Sequence, residues 1–94
     1  MKIFQSIIFA KKVKKLNQNE KLLLDKEIKN IIRNPKIGIK KKAELNDIYV
    51  HKFKINKQQY LLAYRVNIDN LELIMLGSHE NNYRDLKNIL NKSI

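Results

Sequence analysis

Residues 47–76 decide the fold of this chain, because they read DIYVHKFKI, NKQQ, YLLAYRV, NIDN and LELIML in succession. The three longer pieces are rich in apolar, aromatic and β-branched residues and follow the strand period of 2 rather than the helical period of 3.6. The shorter pieces between them are polar and carry asparagine, which favours turns. We therefore predict an antiparallel meander of three strands at 47–55, 60–66 and 71–76.

The turn after the first of these strands predicts which side chains share a face of the sheet. If Ile55 lies opposite Tyr60, one face carries the following set: Lys52, Lys54, Leu61, Ala63 and Arg65. The other face carries Tyr49, His51 and Phe53. Because His51 lies between two aromatic residues on this face, a structural role is favoured for it. The same pairing places Arg65 opposite Glu72, as in an ordinary cross-strand ion pair.

The N-terminal half predicts a strand followed by a helical hairpin. Residues 3–7 suit a short strand, and Phe9, Val13 and Leu16 then follow a helical spacing as far as residue 17. A second helix is predicted from about residue 19 until Asn34-Pro35 stops it, before a basic loop at 36–42.

A last helix is predicted over residues 81–94, to close an edge or an end of the sheet. The fold class is then α+β in one domain, residues 1–94, with a helical hairpin packed on one face of an antiparallel sheet.

The composition limits the compartment and the partners of this chain. It contains no cysteine, which excludes disulfides and thiolate metal sites and favours a reducing, cytoplasmic location. Its apolar runs are far shorter than a membrane span requires. Twenty Lys and Arg against nine Asp and Glu give a net charge of +11, so a nucleic acid or an acidic protein is the expected partner. A genome that favours lysine codons would produce a similar excess without any such partner.

The residues after the last predicted strand form a candidate active site. The apolar run ends at Gly77, and the polar stretch that follows contains Ser78, His79, Tyr83 and Arg84. Histidine can donate or accept a proton near neutral pH, and tyrosine can stack on a base or donate a hydroxyl. Two histidines with few nearby carboxylates do not make a metal site.

Cleavage of RNA through its own 2′-hydroxyl needs three groups that this chain contains. One group takes the hydroxyl proton, a second stabilises charge on the phosphate, and a third protonates the leaving 5′-oxygen. Lys52 and Lys54 lie two residues apart on one strand, where mutual repulsion favours a lysine acting as a base. The alternative is that both belong to a solvated strand face.

Two stretches of this chain resemble the RelE/ParE superfamily of type II toxin-antitoxin toxins. They are HKFKI at 51–55 leading to YLLAYR at 60–65, and LGSH at 76–79 leading to Tyr83. The predicted order of elements also resembles that family's fold along nearly the whole chain. The resemblance implies one of two activities: ribosome-dependent cleavage of messenger RNA, as in RelE-like members, or inhibition of DNA gyrase, as in ParE-like members. It also implies a cognate antitoxin and no cofactor.

The resemblance assigns roles to several positions. Lys52 and Lys54 match the paired lysines of RelE, and His79 matches the position that is histidine in the YoeB and YafQ branches. Tyr83 lies near an aromatic residue of several branches, although it also suits the core side of the predicted last helix. Leu61 stands where RelE and YoeB have an arginine, so Arg65 is either a replacement phosphate clamp or the partner of Glu72.

Other basic residues are expected to attract RNA rather than to act in chemistry. Arg33 and the run Lys40, Lys41 and Lys42 suit general attraction to ribosomal RNA. Arg84 is either a phosphate contact or a surface charge of the last helix. A basic RNA-binding module without catalytic activity is the third alternative for the whole chain.

Overall fold

The described residues, 2–40 and 48–78 of this computed structural model, form two helices and five strands. In chain order these are β1 (Lys2–Gln5), α1 (Ile7–Lys14), α2 (Gln18–Arg33), β2 (Ile39–Lys40), β3 (Tyr49–Ile55), β4 (Gln58–Val66) and β5 (Asn70–Ser78). The sheet order is β1-β5-β4-β3-β2. Strand β1 pairs parallel with β5, and the other pairs are antiparallel. The α+β class, the helical hairpin and the three-stranded meander are confirmed.

Both helices begin at a side-chain cap, which explains where they start. At α1 the Phe9 N–H donates to the Ser6 hydroxyl oxygen at 3.0 Å, and that hydroxyl donates to the Ile74 carbonyl on β5 at 2.6 Å. At α2, Asn17 and Glu20 form a capping box in which each side chain accepts the other residue's backbone N–H. The Ser6 contact therefore also joins the first helix to the sheet.

The sheet buries apolar side chains on both faces. The larger cluster includes Phe9, Leu24 and Ile31 from the helices together with Phe53 and Leu62 from the sheet. The smaller cluster uses the alternate positions of the strands and consists of Ile48, Val50, Leu61, Ala63 and Met75. These two clusters define a helix-side face and an opposite face of the sheet.

Several predicted boundaries were wrong. The first strand does not reach residue 7, because β1 ends at Gln5 and Ser6 caps α1, which begins at Ile7. The turn between β3 and β4 has two residues, Asn56 and Lys57, rather than the predicted four. Both residues adopt positive φ, as a tight two-residue hairpin turn requires. The turn places Ile55 opposite Gln58 rather than Tyr60. Strand β5 does not end at Gly77 but continues to Ser78, since an extended glycine pairs through its backbone like any residue.

The basic loop predicted at 36–42 contains β2, which pairs Ile39 with Val50. A two-residue strand offers too little alternation for a period of 2 to be recognised. The helix predicted at 81–94 lies outside the described residues.

Candidate functional site

Lys52 and Lys54 lie on the face of β3 that is opposite the helices. They alternate with His51, Phe53 and Ile55, of which Phe53 and Ile55 belong to the helix-side cluster. Both lysines are exposed. The actual register differs from the predicted one by two residues, and an even shift leaves every side chain on its predicted face. The shared face of Lys52, Lys54, Leu61 and Ala63 is therefore confirmed.

Lys52 belongs to a row of residues that crosses three strands of the sheet. Lys52 pairs with Leu61, which in turn pairs with Gly77, so these three residues form one row across β3, β4 and β5. Leu61 is fully buried and Gly77 has no side chain. Cα atoms two residues apart on a strand are separated by roughly 6.6 Å, so both ammonium groups can approach one phosphodiester or two successive ones.

Arg65 does not join the two lysines. Its Nη1 atom lies 3.5 Å from Glu72 Oε2, with about a third of each side chain exposed (33% and 39%). The predicted pairing of Arg65 with Glu72 is confirmed by the strand register. Arg65 is also four residues along β4 from Leu61, which is roughly 13 Å in an extended strand. The contact favours the ion-pair interpretation over a phosphate clamp next to Lys52.

His51 is a structural histidine, as its pattern predicted. Its Nε2 atom lies 2.9 Å from Glu27 Oε1 on α2, and its side chain is only 11% exposed. The ring stacks on Phe53 with centroids 5.8 Å apart. This polar contact joins the second helix to β3.

The remaining predicted residues are either dispersed or outside the described part of the chain. Arg33 is exposed at the C-terminal end of α2, and Lys40 is exposed on β2. His79 follows Ser78 directly in the sequence, but it lies outside the described residues. The same is true of Lys41, Lys42, Tyr83 and Arg84.

The structure also contains a cleft that the sequence did not indicate, at the end of the sheet near the β3–β4 turn. Its volume is about 290 Å³, and its lining includes Lys12, Lys15, Glu20, Gln58, Tyr60 and Ser78. We call it the α1 cleft. It opens on the helix-side face, whereas Lys52 and Lys54 lie on the opposite face. The cleft joins residues far apart in the sequence, which is why no local motif indicates it.

Two kinds of site are not found within residues 2–40 and 48–78. No group of three or more His, Asp or Glu side chains there could hold a metal ion. Neither helix in those ranges combines the length and the apolar character needed to cross a membrane.

Comparisons with known proteins relate this fold to bacterial toxins. The intact Escherichia coli RelBE toxin-antitoxin complex has a chain 23% identical to this one, with a TM-score of 0.66, over 84% of this chain and 96% of that one. A double arginine-to-alanine mutant of E. coli toxin RelE in the free state is 22% identical, with a TM-score of 0.72, over 99% and 96% of the two chains. The isolated E. coli RelE toxin is 22% identical, with a TM-score of 0.64, over 94% and 97%.

These three structures show the fold alone, because their identities are low. No curated protein sequence matches this chain significantly. A family model described as the ParE-like toxin of type II bacterial toxin-antitoxin systems matches residues 3–87. That match includes β1 to β5 and both helices, and the chain therefore belongs to the ParE-like toxins of type II bacterial toxin-antitoxin systems.

Proposed function

We propose that this toxin inhibits translation by cutting messenger RNA on the ribosome, without a metal ion. The observation that carries the proposal is the placement of Lys52 and Lys54. Both are exposed on one face of β3, in register with Leu61 and Gly77, at the end of the sheet where β5 leads to His79. The net charge of +11 adds a general attraction to polyanions.

The proposed reaction is an attack of the RNA on itself. The 2′-oxygen forms a bond to the adjacent phosphorus while the bond to the 5′-oxygen breaks. One group takes the 2′-hydroxyl proton and another gives a proton to the departing oxygen, so protons balance. We assign His79 one of these two proton transfers and Lys52 and Lys54 the base or the charge stabilisation on the phosphate. Tyr83 is the proposed stacking partner of a base.

Among the proposed site residues, Arg65 has the least structural support for a contact with the reacting phosphate. Its contact with Glu72 and its distance along β4 favour a structural contribution. The RNA that lies against the lysines would have to extend along the strand to meet it.

The experiment is primer extension on cellular messenger RNA after induced expression of the toxin. We expect cuts inside translated regions for the wild type and none for His79→Ala, because loss of a general acid or base reduces cleavage by about 10²- to 10⁴-fold. The double variant Lys52→Ala/Lys54→Ala should also abolish cuts. Its matched control is Lys11→Ala/Lys14→Ala, which removes the same charge from α1 and should leave the cuts in place.

Inhibition of DNA gyrase is the second candidate, and the family match favours it because that match is to ParE-like toxins. In that case His79→Ala would keep its toxicity, no cuts would appear, and the cells would show a DNA damage response. A chain that binds RNA in a salt-sensitive way, but is neither toxic nor able to cut, would instead be a basic binding module.

A toxin of this class is proposed to be held inactive by its cognate antitoxin. The solved RelBE toxin-antitoxin complex supports such a partner, and the charge of this chain suits an acidic one. Co-expression of the gene next to this one should restore growth if it encodes that antitoxin.

A further inference from the structure

The α1 cleft combines the features of a site for single-stranded nucleic acid. Lys12 and Lys15 are both exposed and stand three residues apart on one helical face, where Cβ atoms are about 5–6 Å apart. Tyr60 is half-buried and lines the same cleft. Positive charge along a groove together with an aromatic ring is how proteins bind unpaired nucleotides.

The Tyr60 ring is held in place before any ligand binds. It stacks on Phe53 with centroids 6.2 Å apart and planes inclined by 24°, and Phe53 belongs to the core. A ring that is already fixed loses little conformational entropy when a base stacks on it. The cleft volume of about 290 Å³ is at the lower limit of known small-ligand sites and suits one nucleotide rather than a large ligand.

One acidic residue lines the cleft, but its charge is partly engaged. The Glu20 carboxylate accepts the Asn17 backbone N–H at 2.8 Å in the capping box of α2. Two lysines against one carboxylate leave the cleft with a positive charge. Gln58 and Ser78 add polar groups at its edge that can bond to a base or a sugar.

The cleft and the two lysines of β3 meet at the same end of the sheet. Lys54 pairs with Gln59, and the neighbouring residue Tyr60 pairs with Ser78, the last residue of β5. Lys54 lies on the face opposite the helices, whereas Tyr60 lies on the helix-side face. An RNA strand that crosses this end of the sheet would therefore contact both.

We propose that the α1 cleft binds a single-stranded RNA segment next to the cleaved bond, with one base stacked on Tyr60 and the flanking phosphates on Lys12 and Lys15. This inference rests on the proposed function and adds a second RNA-contacting region to it. The cleft then positions the RNA strand, while the face of Lys52 and Lys54 receives the reacting phosphate.

The test is the binding of a short single-stranded RNA to the full chain without ribosomes, so that it does not depend on cleavage. The dissociation constant is measured by fluorescence anisotropy for Lys12→Gln/Lys15→Gln and for the matched control Lys11→Gln/Lys14→Gln. All four lysines are exposed, three of them in the second half of α1 and Lys15 as its C-cap residue, but Lys11 and Lys14 do not line the cleft. Loss of two phosphate contacts should weaken binding about tenfold for the first pair at physiological salt, and the control should be much less affected.

A second measurement examines stacking directly. The RNA carries one 5-iodouracil, is crosslinked by light, and the crosslinked residue is identified by mass spectrometry. We expect the crosslink at Tyr60. Tyr60→Phe should keep both crosslink and affinity, whereas Tyr60→Leu should lose the crosslink and bind about tenfold more weakly. Glu20→Gln, which retains a capping-box residue, should tighten binding.

The outcomes separate this inference from the proposed function. Equal weakening by the two lysine pairs, or a crosslink away from the cleft, would overturn the inference even if primer extension shows cuts. Loss of antitoxin binding with unchanged RNA binding in Lys12→Gln/Lys15→Gln would also overturn it and make the cleft a protein-docking site. If the expected binding pattern is found but no messenger RNA is cut, the RNA site stands and the nuclease proposal fails.

Discussion

The hydroxyl of Tyr64 holds the loop after α2 against the sheet. It donates to the Pro35 carbonyl at 2.8 Å and accepts the Gly38 N–H at 3.1 Å, and the Tyr64 side chain is fully buried. Gly38 suits this position because a Cβ there would lie 2.9 Å from the Tyr64 hydroxyl oxygen and 3.0 Å from the Val50 carbonyl oxygen. One phenol thus fixes the chain just before β2.

Tyr64→Phe should lower the free energy of unfolding by about 1–2 kcal/mol, because it leaves the half-buried Pro35 carbonyl and Gly38 N–H without this partner. The measurement is urea denaturation near neutral pH. The control is Tyr49→Phe, since Tyr49 stacks on Tyr64 at 5.5 Å but its hydroxyl has no hydrogen-bond partner in the described parts of the chain. A similar loss in both variants would contradict the role of the Tyr64 hydroxyl.

The same residue predicts a dependence of stability on alkaline pH. Burial raises the pKa of the Tyr64 phenol above its usual value, although the hydrogen bond from Gly38 opposes this rise. The folded chain therefore keeps this proton when the unfolded chain has lost it. Stability from the neutral phenol is complete below pH about 10 and falls as the pH rises from there through the folded pKa. We expect the stability difference between wild type and Tyr64→Phe to shrink above pH about 10, whereas a constant difference would contradict this.

At the scale of elements, the turn of the β3–β4 hairpin contains backbone strain at Lys57, which a substitution can remove. Asn56 and Lys57 have φ of 53° and 49°, which is the geometry of a type I′ turn. Asparagine offsets the steric cost of its Cβ in this conformation because its short polar side chain can hydrogen-bond locally, whereas the lysine side chain offers no such compensation. Lys57→Gly should raise the free energy of unfolding by about 0.5–1 kcal/mol in urea denaturation. Lys57→Ala is the control, since it removes the charge but keeps the Cβ, and it should not stabilise the chain.

A pattern of side chains determines which residues of a strand share a face, but it does not determine the exact register. The face of Lys52 and Lys54 was predicted correctly because alternation survives an even shift of register. The run 71–76 was different, since nearly every residue in it is apolar. Ala63 pairs with Met75 and the next residue, Tyr64, pairs with Leu73, so Ile74 is an extra residue in β5. This bulge reverses the alternation of faces along β5, and Leu73 and Leu76 therefore both belong to the helix-side cluster. No period of 2 reveals such a bulge.

Two other features were not predicted from the sequence, namely the parallel pairing of β1 with β5 and the α1 cleft. The reason is again that local patterns do not contain the information. Ile3 pairs with Leu71, and the cleft joins Lys12 to Tyr60 and Ser78. These contacts connect parts of the chain more than forty residues apart, and they depend on how the helical hairpin lies on the sheet. Local spacing gives the faces of single elements, but it does not give which faces of distant elements meet.

At the scale of the whole molecule, the overall charge and particular contacts would contribute differently to the RNA binding proposed above. A net charge of +11 attracts any polyanion over about a Debye length, and salt screens this attraction for every lysine alike. A lysine that contacts a phosphate has an additional effect, because it releases a condensed counterion. The logarithm of the affinity for a single strand then falls with the logarithm of the salt concentration by about 0.7 per contact.

We therefore expect two variants with equal loss of charge to differ in their salt dependence. Lys52→Gln/Lys54→Gln should reduce the magnitude of the slope by about 1.4, since two phosphate contacts are lost. Lys26→Gln/Arg33→Gln removes two charges from an exposed groove on α2 and should lower the affinity slightly with little change of slope. The measurement is RNA anisotropy at several salt concentrations between about 50 and 200 mM. Equal slopes in the two variants would mean that the positive charge as a whole binds RNA and that the face of Lys52 and Lys54 makes no specific phosphate contact.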